Sequence, residues 1–127
     1  MHPINLFSTP LWIFEREVPQ GLREWALDFK REIPIGRRRS NKGGYQSEAY
    51  CGLYNLPSEY QDDIKDALKE LPAFEFGNWW LNINYKGNHN IAHTHPSSDL
   101  AVIWNVTDNH GLLNLRDPNA HTRWKLW

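Results

Sequence analysis

Histidines and a carboxylate lie close together between residues 88 and 100, where the chain reads NHNIAHTHPSSDL. His93 and His95 have i, i+2 spacing, and on an extended strand such side chains lie on one face, about 7 Å apart along the backbone. Neutral imidazole nitrogen is the commonest protein ligand of iron, zinc and copper, and Asp99 offers an oxygen donor nearby. The spacing therefore predicts a transition-metal site formed by His93, His95 and Asp99.

Other interpretations of the same residues stay open. Histidines in a polar turn beside Pro96 can be solvated and bind nothing. His89 shares a face with the pair only if the intervening chain bends. A catalytic zinc site needs three protein ligands, and neither C-x-x-C nor H-E-x-x-H occurs in the chain.

Two helices are predicted before the histidines. Residues 20–31 place apolar side chains at i, i+3, i+4 and i+7, namely Leu22, Trp25, Ala26 and Phe29. A second helix is predicted to begin at Ser58, which forms a capping-box pattern with Gln61, and to end at Pro72. One side of this helix is apolar through Tyr60, Ile64, Ala67, Leu68 and Leu71.

The first half of the chain also contains one candidate strand and one long loop. Residues 6–15 are rich in strand-forming aromatics, but Pro10 would remove a ladder donor, so an edge or broken strand is expected. Residues 35–47 are polar, basic and contain glycine, which is typical of a loop.

Alternating hydrophobicity in the second half predicts strands. Residues 79–85 have one apolar and one polar face, residues 91–95 form a strand that Pro96 ends, and residues 100–106 read as a strand buried on both faces. A hairpin-like turn at 107–111 leads into a strand at 112–116. The order predicts an α+β fold.

Length and composition suit one domain of 127 residues, with residues 1–72 as a supporting region and 73–127 carrying the strands and the histidines. The chain is 40% hydrophobic, and its formal net charge of −1 gives no global case for nucleic acid or membrane binding. A single cysteine, Cys51, cannot form an internal disulfide, so a cytoplasmic location is expected. The sequence shows no spanning segment or signal peptide.

Several motifs together resemble one known family. The stretch WWLNINYKGNHNIAHTHPSSDLAVIWNV, followed by GLLNLRDP, resembles the Fe(II)- and 2-oxoglutarate-dependent oxygenase superfamily, and most closely a small family with an H-x-H-P-x-S motif. LFSTPLWIF looks like the N-terminal strand of that family, and SNKGGYQS like one of its loops. The resemblance covers nearly the whole chain in the right order.

The resemblance implies a double-stranded β-helix, or jelly roll, with helices packed outside it. His93 matches the family's first metal ligand, and His95 stands where a carboxylate is usual, so both would be catalytic. Asn82, Asn84 and Tyr85 match the region that binds 2-oxoglutarate. The implied cofactors are Fe(II), 2-oxoglutarate and O2, and the implied reaction hydroxylates a small molecule or peptide while releasing succinate and CO2.

The C-terminal end departs from the family pattern. A distal histidine and a co-substrate arginine should follow the D-P motif, but only nine residues follow Pro118, with His121 and Arg123 as candidates. An incomplete jelly roll, from a fragment or a short natural form, is therefore expected. Uncovered apolar faces and strand edges would then favour a homodimer, with Trp104, Trp124 and Trp127 as contacts.

Three alternatives to an oxygenase remain. A non-catalytic metal-binding or assembly protein of the same fold would explain the missing C-terminal residues. A nucleic-acid contact could be formed by residues 37–39, Lys42 and Tyr45, although a solvated loop is the simpler interpretation. Cys51 as a nucleophile lacks an adjacent base in the sequence and reads as a core or surface thiol.

Overall fold

A computed structural model of the chain describes residues 9–71, 73–107 and 113–116. It has two helices, α1 (Leu22–Glu32) and α2 (Ser58–Leu68). The strands are β1 (Asn41–Lys42), β2 (Tyr45–Gln46), β3 (Tyr50–Cys51), β4 (Asn78–Trp79), β5 (Asn82–Ile83) and β6 (His89–Asn90). The predicted α+β class is confirmed, and within the described ranges the strands form antiparallel pairs without a closed sheet.

The three strand pairs follow one another along a single interrupted ribbon, formed by residues 40–52 against residues 77–91. β1 pairs with β6, β2 with β5, and β3 with β4. Backbone hydrogen bonds extend the pairing beyond the strands, from Ile91 N to the Ser40 carbonyl at 2.8 Å and from Gly52 N to the Gly77 carbonyl at 2.7 Å. The predicted loop at 35–47 thus contains β1 and β2, and the expected supporting region shares its sheet with the region that carries the histidines.

The ribbon contains a β-bulge at its centre. Gln46 faces Asn82 and Tyr50 faces Trp79, so three residues on one strand stand opposite two on the other. Ser47 N donates to the Leu81 carbonyl at 2.9 Å, which leaves residues 48–49 opposite Trp80 alone. A bulge of this kind bends a strand and redirects a side chain.

An aromatic cluster joins α1 to the ribbon. The ring centroids of Trp25 and Trp79 are 6.2 Å apart, those of Phe29 and Tyr50 are 5.8 Å apart, and those of Tyr50 and Trp79 are 5.1 Å apart. These tilted and edge-on arrangements are the ones that aromatic quadrupoles favour. The apolar helix face predicted for residues 20–31 is confirmed, and the predicted alternation places Trp79 on this side of the ribbon.

α2 begins at Ser58 as predicted, but its capping differs from the prediction. Ser58 is the first residue of the helix and its side chain forms no capping hydrogen bond. Gln61 Nε2 instead donates to the Leu56 carbonyl at 2.8 Å, upstream of the helix. The capping box is therefore wrong, although the helix itself is confirmed and buries Tyr60 and Leu68.

Both helices are short. α1 and α2 have 11 residues each, and α2 ends at Leu68, before Pro72, which lies outside the described residues. Within the part of the chain that the structure describes, no helix is long and apolar enough to cross a membrane.

Three predicted strands are absent from the described parts of the chain. Residues 9–15, 91–95 and 100–106 are irregular. Val102 and Ile103 are 59% and 60% exposed, whereas a strand buried on both faces was expected. A strand needs a partner for its backbone groups, and β propensity alone supplies none.

Some predictions fall on residues that the structure does not describe. Residues 6–8 of the first predicted strand and residues 108–112 lie outside the described ranges, while residues 113–116 are irregular. The C-terminal candidates His121, Arg123, Trp124 and Trp127 also lie outside them.

The irregular segment before α1 is tied to α2 by an ion pair. Arg16 Nη2 lies 2.7 Å from Asp66 Oδ2, and Lys69 Nζ donates to Asp66 Oδ1 at 2.8 Å. The hydrogen bond from Lys69, followed by that from Arg16, lowers the pKa of Asp66 below its ordinary value. Since this carboxylate is exposed, the pair orients the segment more than it stabilises the fold.

Candidate functional site

An open cleft of about 550 Å³ contains both predicted metal-binding histidines. Its lining comes from three stretches of chain that are distant in sequence: the basic segment, the bulged strand, and the residues at and beyond the opposite strand. The lining residues are Arg37, Arg38, Arg39, Ser40, Gln46, Ser47, Ala49, Trp80, Ile91, His93 and His95. The volume lies in the range of small-molecule sites.

The two imidazole rings lie side by side, although the segment that carries them is irregular and not the predicted strand. Their centroids are 4.9 Å apart and the ring planes meet at 75°. His93 Nδ1 lies 2.7 Å from the Ile91 carbonyl oxygen. Because a carbonyl only accepts, Nδ1 carries the hydrogen, so in the neutral tautomer the lone pair is on Nε2. A histidine whose second nitrogen donates to a carbonyl is typical of metal ligands, so the donor set fits a transition metal in this respect.

Trp80 holds the second histidine from the ribbon side. The centroids of the Trp80 and His95 rings are 5.4 Å apart, with 34° between their planes. Trp80 is the residue opposite the bulge, on the other side of the ribbon from Trp79. The bulge thereby places an indole ring where it restricts the orientation of His95.

The third predicted ligand is not gathered with the histidines. Asp99 is exposed and follows a turn in which Ser98 N donates to the His95 carbonyl at 3.1 Å. Among the described residues, no group of three or more His, Cys, Asp or Glu side chains is placed to hold a metal ion. His89 pairs with Lys42 in the ribbon. The structure brings two of the three predicted ligands together, and the role of Asp99 stays a prediction.

The residues expected to bind 2-oxoglutarate are not among those that line the cleft. Asn82 lies exposed in β5, and Asn84 Nδ2 donates to Asn90 Oδ1 at 3.0 Å. Lys30 Nζ of α1 donates to the Tyr85 hydroxyl at 3.0 Å and lies 4.8 Å from the centroid of that ring. These contacts give Asn84 and Tyr85 structural partners, and their co-substrate role stays a prediction.

The basic segment 37–39 lines the cleft, although its composition is typical of a solvated loop. Arg37 N donates to the Gln46 carbonyl at 2.8 Å, and Arg39 N donates to Asn41 Oδ1 at 2.9 Å. The adjoining SNKGGYQS stretch, which resembles a loop of the family, was the one sequence signal for this segment. It would have located the arginines beside the histidines only with the knowledge that this stretch pairs with the strand preceding them.

The aromatic residue of the proposed nucleic-acid contact, Tyr45, is not available to bind a base. Tyr45 is only 4% exposed, and its hydroxyl donates to the Ile33 carbonyl at 2.8 Å. Burial, followed by the proximity of Tyr50, raises the pKa of Tyr45 above its ordinary value. A buried ring cannot stack on a base, so Tyr45 is a structural residue.

Cys51 is exposed.

The side-chain amide of Gln46, a residue that lines the cleft, has an oxygen without a hydrogen-bond partner among the described residues. The Gln46 side chain is 8% exposed, and its Oε1 atom has no hydrogen-bond partner within the described parts of the chain. Leaving a buried amide oxygen unpaired costs free energy, so Gln46 destabilises this part of the fold.

Comparisons with known proteins found nothing similar to this chain: no family model, no curated protein and no solved structure matches it. The chemistry of the cleft must therefore be inferred from its own residues.

Proposed function

We propose that this chain is an Fe(II)- and 2-oxoglutarate-dependent oxygenase domain that hydroxylates a small molecule or peptide, with its ribbon forming part of a jelly roll. The observation that carries the proposal is the His93–His95 pair, whose rings are adjacent in the cleft and in which His93 Nδ1 lies against the Ile91 carbonyl. The resemblance of the sequence around this pair to the oxygenase superfamily supports the choice of iron.

The protein's own residues would perform three tasks. His93 and His95 would bind the metal, and the Ile91 carbonyl would keep His93 in the tautomer that can do so. Trp80 would orient His95 and exclude water from one side of the pair. When bound, Fe(II), 2-oxoglutarate and O2 together supply the oxidising chemistry, with release of succinate and CO2. The single cysteine suits a reducing compartment, so we place this activity in the cytoplasm.

A non-catalytic metal-binding protein is the second candidate. One observation favours it: the described residues bring two imidazoles together but no carboxylate. Two neutral ligands balance less of the charge of Fe(II) than the usual set does. Asp99 would have to move toward the pair to complete a facial site.

Metal titration with matched histidine variants tests the proposal. Co(II), whose visible absorption reports its ligands, should bind the wild-type chain and the His89→Ala control equally. His93→Ala and His95→Ala should each bind more than about tenfold more weakly, because even loss of a residue that only supports a ligand has an effect of that size. Equal affinity in His93→Ala and the wild type would refute the assignment.

Turnover separates the two candidates. With Fe(II), O2 and 2-oxoglutarate, an oxygenase should form succinate, and the product should disappear in His93→Ala. Metal binding without succinate would favour the non-catalytic protein. The same titration on Asp99→Ala decides the third ligand, since a loss of Co(II) affinity there would show that this carboxylate reaches the metal.

A further inference from the structure

The lining of the cleft, as far as the described residues form it, is positively charged. These residues include three arginines and no aspartate or glutamate. Arg37 forms an ion pair with Glu48. Arg38 and Arg39 form no ion pair within the described residues, so two guanidinium groups border the cleft without a carboxylate partner.

The backbone that carries these arginines is held in place on both sides. Arg37 N is bonded to the Gln46 carbonyl, and Ile91 N donates to the Ser40 carbonyl at 2.8 Å. The Asn90 side chain donates to Ser40 Oγ at 3.0 Å. Since Ser40 is 9% exposed, Arg38 and Arg39 project from a fixed segment. A fixed segment reduces the entropy lost when their side chains bind a ligand.

The rest of the lining is suited to an uncharged, partly apolar group. Ala49, Trp80 and Ile91 offer carbon surface.

From these features we infer that the ligand of this cleft is a small organic anion, whose acidic group pairs with Arg38 and Arg39 while its apolar body lies against Trp80 and Ile91. The inference rests on the proposed function in one respect. If the chain is an oxygenase, this anion is its prime substrate and is held beside the metal-binding histidines. Guanidinium groups bind carboxylates and phosphates through paired, charge-assisted hydrogen bonds. A polyanion such as RNA fits less well, because Tyr45 is buried and the cleft is of small-molecule size.

The experiment measures binding of simple anions to the full chain, without 2-oxoglutarate, after bound metal has been removed and the chelator has been exchanged away. Benzoate and phenyl phosphate are the probes, and benzamide is the neutral match of benzoate. Saturation-transfer NMR titrations should show that at least one anion binds and that benzamide binds about tenfold more weakly or not at all. The stronger of the two anions identifies the acidic group.

Paired variants assign the binding to the arginines. Arg38→Gln/Arg39→Gln should weaken the anion about tenfold or more, whereas Arg23→Gln/Lys86→Gln changes the net charge equally at residues outside the cleft and should leave binding unchanged. Equal losses in the two double variants, or no binding of either anion to the wild-type chain, would overturn the inference.

Competition with 2-oxoglutarate separates this inference from the proposed function. If added 2-oxoglutarate displaces the aromatic anion and itself loses affinity in Arg38→Gln/Arg39→Gln, the arginines bind the co-substrate and the prime-substrate assignment is wrong. Because the anion titrations contain no metal, failure to bind Co(II) would refute the metal site and leave the anion result standing.

Discussion

Ser47 connects the two strands of the ribbon through its main chain and its side chain together. Its Oγ atom accepts a hydrogen bond from Leu81 N at 2.9 Å and donates to the Glu48 carbonyl at 2.7 Å. The residue is 1% exposed, so neither bond can be replaced by solvent. These bonds hold the bulge that turns Trp80 toward the histidines.

Ser47→Ala should therefore lower the free energy of unfolding by about 1 to 2 kcal/mol, because Leu81 N loses its acceptor in a part-buried place. Urea denaturation followed by tryptophan fluorescence measures the change. Ser98→Ala, at an exposed serine whose side chain forms no hydrogen bond within the described residues, serves as the control. A Ser47→Ala midpoint equal to that of the wild type would show that the hydroxyl does not hold the bulge.

For individual residues, the sequence predicted that His93 and His95 lie together but not which other residues line their cleft. The proximity of His93 and His95 follows from local spacing. Gln46, Arg38 and Arg39 are close to them only because residues 40–52 pair with residues 77–91, and no local pattern carries that information.

The helices show what a periodic pattern can and cannot predict about an element. Both helices were expected from apolar spacing, and both are present. The start of α2 was expected at a serine cap, but Gln61 satisfies the Leu56 carbonyl instead. Cap geometry depends on the path of the preceding chain, which the capping-box pattern does not contain.

A pair of α2 variants tests this correction. Ser58→Ala should change stability by less than about 0.5 kcal/mol, since its side chain forms no cap, and Gln61→Ala should cost about 1 kcal/mol through the lost hydrogen bond. Thermal unfolding followed by circular dichroism measures both. A larger loss for Ser58→Ala than for Gln61→Ala would restore the capping box.

The strands were harder to predict than the helices. Alternation over residues 79–85 indicated one strand, and the contacts of Trp79 and Trp80 confirm that neighbouring side chains face opposite ways. The bulge, together with a turn in which Asn88 N donates to the Tyr85 carbonyl at 2.9 Å, divides the pairing into short pieces. The turn is closed by local hydrogen bonds, whereas the bulge is set by the partner strand and cannot be deduced from either strand alone.

For the whole molecule, alkaline pH should be destabilising. Burial raises the pKa of both Tyr45 and Tyr60, and Glu59 and Glu24 raise that of Tyr60 further. A group whose pKa is raised on folding stabilises the fold fully below its unfolded pKa of about 10 and loses that contribution as pH rises through the folded pKa.

The urea midpoint should accordingly fall between about pH 9 and about pH 11, and the fall should be smaller in Tyr45→Phe/Tyr60→Phe. Tyr54→Phe is the matched control, because Tyr54 is 87% exposed. A fall of the same size in the double variant and in the control would show that the buried hydroxyls do not cause it.

The ribbon also makes ligand capture depend on a long-range event in folding. The arginines precede α2 and the histidines follow it, so their meeting requires closure of the chain between residues 52 and 77. Before that closure the arginines and the histidines lie on separate strands, so no cleft exists in which one ligand contacts both groups. A molecule that contacts both groups consequently stabilises the paired ribbon and opposes separation of its two strands.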